Sequence, residues 1–366
     1  MHARMRLSVT AIVTAALLTV LSTAWAQNAA KLIDPARART DSLGTLWYNG
    51  QDIGVEGRGW TDTEGYYDRF PARAKGVVRE PVWELSHDCA GLLLRFRTDA
   101  DSLLVDWDGG GGMPHFAPTG VSGLDLYVLK DGRWVYDWTA RPDTGRTVRR
   151  IGKRIKNHEM RDCIINLPLY HGVTRLELGL PAGAKLYSLP PPPGKPVVIY
   201  GTSITQGGCA SRPGMAHSQI LGRWLNREMI NLGFSGNGMM EPEVANLLAE
   251  LDPAVYVIDC IPNVGNAIGH LTVPFVKILR GKHPLTPILL VEDPRESNAL
   301  ANDSLGMQFK LLTDGGDHEV FLLRGKGMLE EDGESTVDGV HATDLGFLRM
   351  ARHFRPAIEV LLRPGE

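Results

Sequence analysis

The stretch Val197-Val198-Ile199-Tyr200-Gly201-Thr202-Ser203-Ile204-Thr205-Gln206-Gly207-Gly208 decides the fold of the C-terminal half of the chain. Four apolar residues in a row, ended by a glycine, suit a strand buried on both faces of a sheet. Further short apolar runs follow at 229–234, 254–260, 287–292 and 320–324. Between and after them lie helical patterns at 217–228, 241–250, 270–283, 301–312 and 345–362. Alternating units of this length require right-handed crossovers and predict a three-layer α/β/α arrangement around about five parallel strands. In such sheets the working residues lie just past the strand C-termini, where Ser203 falls.

Upstream, Pro190-Pro191-Pro192-Pro193-Gly194-Lys195-Pro196 can join neither helix nor sheet interior, and 190–196 is expected to be a stiff connector. Before it, over 27–189, short apolar or alternating runs recur at 92–97, 102–107, 124–129, 133–136 and 173–178. Asp131-Gly132 has the chemistry of a two-residue hairpin turn. Short strands, frequent turns and no long helical pattern predict an antiparallel, jelly-roll-like β-sandwich. The remainder, 197–366, is expected to form the second domain.

Length and charge narrow the function. The chain has 366 residues, 43% hydrophobic and 22% charged, the balance of a globular protein. A net charge of −3 supplies no field to attract nucleic acid or anionic lipid. Arg4 and Arg6, the apolar run that follows to about Leu21 and the Ala24-Trp25-Ala26 site make 1–26 an expected cleaved export signal, directing the protein to the periplasm or the medium. No second long apolar stretch predicts a membrane span. Cys89, Cys163, Cys209 and Cys260 allow three pairings; a Cys209–Cys260 bridge and four buried free thiols are the two readings. None of the spacings is that of a zinc knuckle, so no metal is expected.

Four blocks carry chemistry. Ser203 follows the first predicted strand, in a turn that is neither the G-x-S-x-G elbow nor a P-loop. Asn231-Leu232-Gly233-Phe234-Ser235-Gly236-Asn237-Gly238 ends the second strand, and Asp259-Cys260-Ile261-Pro262-Asn263 the third. Asp338-Gly339-Val340-His341 precedes the last helix. The 11 histidines alone would yield roughly half an Asp-x-x-His match by chance. The order of all four blocks along one sheet carries more weight than any of them singly.

Together these blocks resemble the SGNH or GDSL hydrolases, a flavodoxin-like family. The resemblance extends to the subgroup in which a β-domain with a G-x-D-L-Y segment, here Gly123-Leu124-Asp125-Leu126-Tyr127, precedes the hydrolase. It implies Ser203 as nucleophile, His341 as base, Asp338 as its orienting acid, and an oxyanion site of the Ser203 and Gly236 amides with the Asn263 side chain. Thr202 stands where the family has Asp, and Pro262-Asn263-Val264 replaces its Gly-x-Asn-Asp. The implied activity is hydrolysis of an acyl ester, acetyl on a carbohydrate, with no cofactor. The other readings are a lipid or thioester acylhydrolase and a glycan-binding protein without catalysis. The implied partner is an acylated small molecule or polysaccharide.

Rival residues have plainer roles. His217 beside Ser218 is expected to pack or cap a helix, and His353 to sit on a helix surface. His87, three after Glu84, has no serine partner in the β-domain. Arg212 fits a substrate contact or a structural ion pair equally. Trp47, Trp60, Trp83, Trp107, Trp134 and Trp138 precede the connector and are expected mainly in the core, with a sugar platform as the alternative.

Overall fold

The computed structural model describes residues 30–154 and 158–362. The expected export signal at 1–26 lies outside the described residues. No helix among the described residues is long and apolar enough to cross a membrane.

The C-terminal sheet has five parallel strands: β1 Val197–Gly201, β2 Met229–Gly233, β3 Val255–Asp259, β4 Ile288–Val291 and β5 Val320–Leu323. Their spatial order is β2-β1-β3-β4-β5. Among the described residues five helices of seven residues or more accompany them: α1 His217–Leu225, α2 Pro242–Leu248, α3 Ile268–Lys282, α4 Ala299–Asp314 and α5 Asp344–Leu361. Alternation along the strands sorts the side chains into two cores. Val198, Tyr200, Tyr256, Ile258, Ile288 and Leu290 face α2, α3 and α4. Val197, Ile199, Val255, Val257, Leu289 and Val291 face α1 and α5. A strand buried on both faces cannot alternate in hydrophobicity, which is why these runs are continuous in sequence.

The N-terminal half is an antiparallel sandwich. One sheet runs in the order Lys31–Leu32, Leu186–Ser188, Leu93–Thr98, Arg161–Asn166, Leu124–Lys130, Arg133–Ala140, with Val55–Glu56 beside Leu93–Thr98. The other runs Arg39–Thr40, Leu46–Asn49, Leu176–Leu180, Leu104–Gly109, Gly145–Arg150. The Asp131-Gly132 hairpin forms, with φ of 48° and 72°, the doubly left-handed turn that suits strand twist. The strand expected at 173–178 starts later, at Leu176, because the Thr174 and Arg175 amides bond instead to Asp108 Oδ2 at 3.2 and 3.0 Å.

Two features depart from a simple bead-and-linker picture. Trp60, Phe70, Val78, Val82 and Trp83 pack into the hydrophobic cluster beneath α2 and α3, so a segment preceding most of the sandwich strands covers the parallel sheet. Helix α1 stops at Leu225 rather than 228, because Asn226 turns left-handed at φ 46° and the chain enters β2. All four cysteines are free, so the Cys209–Cys260 pairing does not form.

Candidate active site

Strand order reverses between β1 and β3, which puts the crevice of the fold at their C-terminal ends. Gly201 is paired in register with Gly233 on one side and Asp259 on the other. Residues shortly after these three positions therefore emerge within one or two strand spacings of each other. Ser203, Gly236 and Asn263 are such residues.

Ser203 opens a single helical turn, Ser203–Gln206. Thr202 caps it through an Oγ1 contact with the Ile204 amide at 3.3 Å, and Gly207 ends it at φ 109°. This explains the Asp-to-Thr departure: threonine supplies the same N-cap acceptor without a charge. Gly208 lets the chain turn back: a Cβ there would lie 2.9 Å from Tyr170 Oη and 3.3 Å from His341 Cδ2. Tyr170 donates to the Ser203 carbonyl at 3.1 Å.

Ser203 Oγ lies 2.9 Å from His341 Nε2, and His341 Nδ1 lies 2.8 Å from Asp338 Oδ2. The loop holding the last two residues is tied by the Thr336–Ala342 bridge and by a bond from the Val337 amide to the His341 carbonyl at 2.8 Å. Asp338 Oδ1 accepts from the Val340 and His341 amides at 2.9 and 2.7 Å. Partial burial works against ionisation of Asp338, but the His341 ring and these two amides outweigh it, holding the carboxyl well below the usual range. An ionised Asp338 can only accept, so Nδ1 carries the ring proton and Nε2 turns its lone pair to the serine.

The expected oxyanion groups follow the ends of β1 and of the strands on either side of it. Gly236 adopts φ 66°, and its amide and that of Ser203 bond to no acceptor among the described residues. Asn263 sits in the turn Ile261–Val264, where its Oδ1 accepts from the Gly238 amide at 3.0 Å. That bond leaves its Nδ2 hydrogens to donate elsewhere. Gly238 can approach only because it lacks a side chain: a Cβ would lie 2.5 Å from the Gly201 carbonyl.

Several supports were not read from the sequence. Gln206 joins three segments: its Nε2 donates to Asp88 Oδ2 at 2.9 Å and the Leu169 carbonyl at 3.1 Å, and its Oε1 accepts from the Ser235 amide at 2.8 Å. Burial pushes Asp88 up to about 6. Arg69 is 1% exposed and donates to four carbonyls, those of Leu85, Asp88, Asn231 and Gly233. Its guanidinium also lies over the Phe234 ring, 4.7 Å from the centroid. Under Ser203's turn, burial and the neighbouring Asp293 charge push Asp259 up to about 7. An isolated Arg and Gln carry no pattern by which a single sequence would flag them.

The rival residues take the roles expected of them, and Arg212 is resolved. His217 is fully buried between Phe347 and Phe354, and burial pushes it down to about 4. His87 faces Asp68 at 3.1 Å, and His353 bonds the Arg324 carbonyl at 2.7 Å. Arg212 pairs with Asp125 at 2.9 Å and with the Tyr127 hydroxyl, so it locks the two halves together. Trp47, Trp60, Trp83 and Trp107 are in the core, while Trp134 and Trp138 are half-buried.

Residues 194–359 match the GDSL-like lipase/acylhydrolase family, and residues 45–186 match the N-terminal module of SGNH-hydrolase-type esterases. A Bacteroides ovatus protein designated GDSL-like lipase is similar at 33% identity with a TM-score of 0.83, over 87% of this chain and 98% of that one. A salicylyl-acyltransferase from a tetracycline biosynthetic pathway shares the fold at 20% identity and a TM-score of 0.66, over 91% and 99%. So does a family two carbohydrate esterase from Clostridium thermocellum, at 14% identity and a TM-score of 0.55, over 74% and 92%. No curated protein matches the chain. An antiparallel G-x-D-L-Y domain on a five-stranded parallel sheet, matched in both halves and 33% identical to a relative over 87% of the chain, places this chain in the GDSL-like, SGNH-type acylhydrolase family, and it is an esterase.

Proposed function

We propose that the protein is an exported serine esterase that removes an acyl group, acetyl, from a carbohydrate hydroxyl. The observation that supports this reading best is the continuous Ser203–His341–Asp338 hydrogen-bonded line, with its 2.9 and 2.8 Å contacts. His341 Nε2 takes the Ser203 proton as Oγ attacks the ester carbonyl, since neutral serine is too weak a nucleophile alone. Asp338 holds the tautomer and stabilises the imidazolium. The oxyanion accepts from the Ser203 and Gly236 amides and from Asn263 Nδ2. His341 then returns its proton to the departing alcohol, and water cleaves the acyl-enzyme with His341 again as base.

The shape of the site bears on the substrate. Ser203 is 7% exposed, which supports a small acyl group as the one that reaches it. Asp338 and His341 have side chains 37% and 23% exposed, which supports a leaving alcohol that reaches the site from solvent. Release of acetate from acetylated polysaccharides, compared with hydrolysis of p-nitrophenyl esters of increasing chain length, tests the proposal. Ser203→Ala should lose turnover of both by at least about 10³-fold while keeping the fold. Retained turnover would remove Ser203 from the scheme, and a preference for long acyl chains would remove acetyl.

A further inference from the structure

A third group of side chains reaches the same space from the β-domain. The tract Gly109–Gly112 runs into a tight turn closed by reciprocal Met113–Phe116 amide bonds at 3.0 Å. This turn carries His115. Its position is fixed from several sides: Phe116 packs edge-on against Tyr170 at 5.2 Å, and Thr119 Oγ1 donates to the Ser211 carbonyl at 2.6 Å. Gly120 abuts the Ala210 carbonyl so closely that a Cβ would lie 2.0 Å from it. These contacts hold the His115 ring 5.7 Å from the His341 ring and bring the turn onto the segment containing Cys209.

One ligand atom each from His115, Cys209 and His341 lies within 4.8 Å of the other two. The geometry points to a three-ligand site for a thiophilic divalent cation of the Zn²⁺ class, formed across the two domains, whose occupancy and turnover exclude one another. Two imidazole nitrogens and a thiolate are the donors that Zn²⁺ selects, and Mg²⁺ and Ca²⁺ reject. Tetrahedral zinc with these donors spaces them about 3.4 Å apart, so rotation of the exposed His115 closes the set.

The choice of atom on His341 follows from its other bond. Nδ1 is held by Asp338 at 2.8 Å, which leaves Nε2 as the donor to metal. A carboxylate behind a ligating imidazole is the arrangement that orients histidine in zinc sites. Coordination uses the same lone pair that would otherwise receive the Ser203 proton. Binding therefore replaces the Ser203–His341 hydrogen bond with a metal–nitrogen bond, and Cys209 gives up its thiol proton to solvent as its sulfur joins the ion. Water fills the fourth position. Chelation reverses each change without altering oxidation state.

The inhibitory half of this inference rests on the reading of His341 as base; the binding half does not, and the experiment separates them. The purified, EDTA-treated protein is titrated with Co²⁺, whose tetrahedral visible bands and near-ultraviolet thiolate charge-transfer band report binding without turnover. Wild type and Ser203→Ala should both show the bands. Cys209→Ser should lose the charge-transfer band, and His115→Ala should need about 100-fold more Co²⁺. In parallel, p-nitrophenyl acetate hydrolysis is followed against Zn²⁺, each variant scaled to its own metal-free rate. Wild type should be inhibited by Zn²⁺, restored by EDTA and unaffected by Mg²⁺, with both variants inhibited only at about 100-fold higher Zn²⁺. Absence of the charge-transfer band in wild type, equal Zn²⁺ sensitivity in all three proteins, or activation by Zn²⁺ would overturn the site. Full p-nitrophenyl acetate hydrolysis by Ser203→Ala, with the cobalt spectrum intact, would instead overturn the catalytic reading alone.

Discussion

Arg69→Met should be among the most damaging substitutions in the protein, although Arg69 touches none of the reacting groups. Its buried guanidinium bonds the Leu85 carbonyl at 2.6 Å, Gly233 at 2.7 Å, Asp88 at 2.8 Å and, more weakly, Asn231 at 3.3 Å. A hydrogen bond with a charged donor contributes about 1.5–3 kcal/mol, and a buried carbonyl stripped of its partner costs about 1–3 kcal/mol. Simple addition over four carbonyls would overshoot, because such effects couple and the backbone relaxes. Burial of the charge also works against the wild type, as the depression of Arg69 to about 10 shows. A net loss of about 3–5 kcal/mol is expected, the range for breaking a buried charged network. Arg69→Lys should recover only part of it, since an ammonium has three donors at one point and cannot span four carbonyls. Urea unfolding followed by tryptophan fluorescence measures the loss, with Trp60 and Trp83 packed in the same core. At low urea the folded fraction should also show reduced kcat, because two of the four carbonyls belong to the end of β2, directly before Gly236. An unfolding free energy within about 1 kcal/mol of wild type would refute the assignment of Arg69 as the clamp of this strand end.

Asn263→Ala should lower kcat about 10²–10³-fold with little change in KM, since the bond to the oxyanion forms only in the transition state; an unchanged kcat would exclude the side chain. Asp338→Asn should lower kcat by about 10²–10⁴-fold and leave unfolding by urea nearly unchanged, because the residue lies in an exposed loop; equal rates would indicate a working dyad. Asp259, at about 7 against an ordinary 3.8, keeps its proton in the folded state where the unfolded chain has lost it. Stability should therefore fall as pH rises between these two values, and Asp259→Asn should flatten that slope in urea titrations at several pH values.

The parallel sheet was legible because burial on both faces writes itself into the sequence as uninterrupted apolar runs. Boundaries moved where a local bond overrode the pattern, as at Thr174 and Arg175, whose amides turn to Asp108. The four motif blocks were legible for a related reason: a group that must sit past a strand end follows that strand by a few residues. His115, Asp88 and Arg69 have no such constraint. Their positions depend on how the segment from Gly57 to Gly91 and the turn at 113–120 fold back over the hydrolase domain, and those contacts span separations of up to 226 residues between His115 and His341. The tryptophans show the opposite limit: composition alone could not divide core from surface, and four of the six proved to be core.

The G-x-D-L-Y segment acquires a physical meaning from the same contacts. Asp125 is wholly buried, with Oδ1 accepting from Asn166 at 2.8 Å and Oδ2 from Arg212 at 2.9 Å and the Gly214 amide at 3.0 Å. Asn166 in turn accepts from Gln219 of α1 at 2.9 Å, and the Tyr127 ring lies 3.9 Å beneath the Arg223 guanidinium. A buried carboxylate without these partners would be strongly unfavourable, so the motif is stable only against the other domain. The segment it grips, 212–214, follows the Ser203 turn by fewer than ten residues, and the turn bearing His115 is pinned to the residues just before it. The β-domain thus sets the position of the chain that leaves the serine, and the space above Ser203 is walled by both halves. Substrate preference in this architecture is therefore expected to vary with the 109–120 loop as much as with the hydrolase motifs themselves, because that loop supplies the wall the motifs lack.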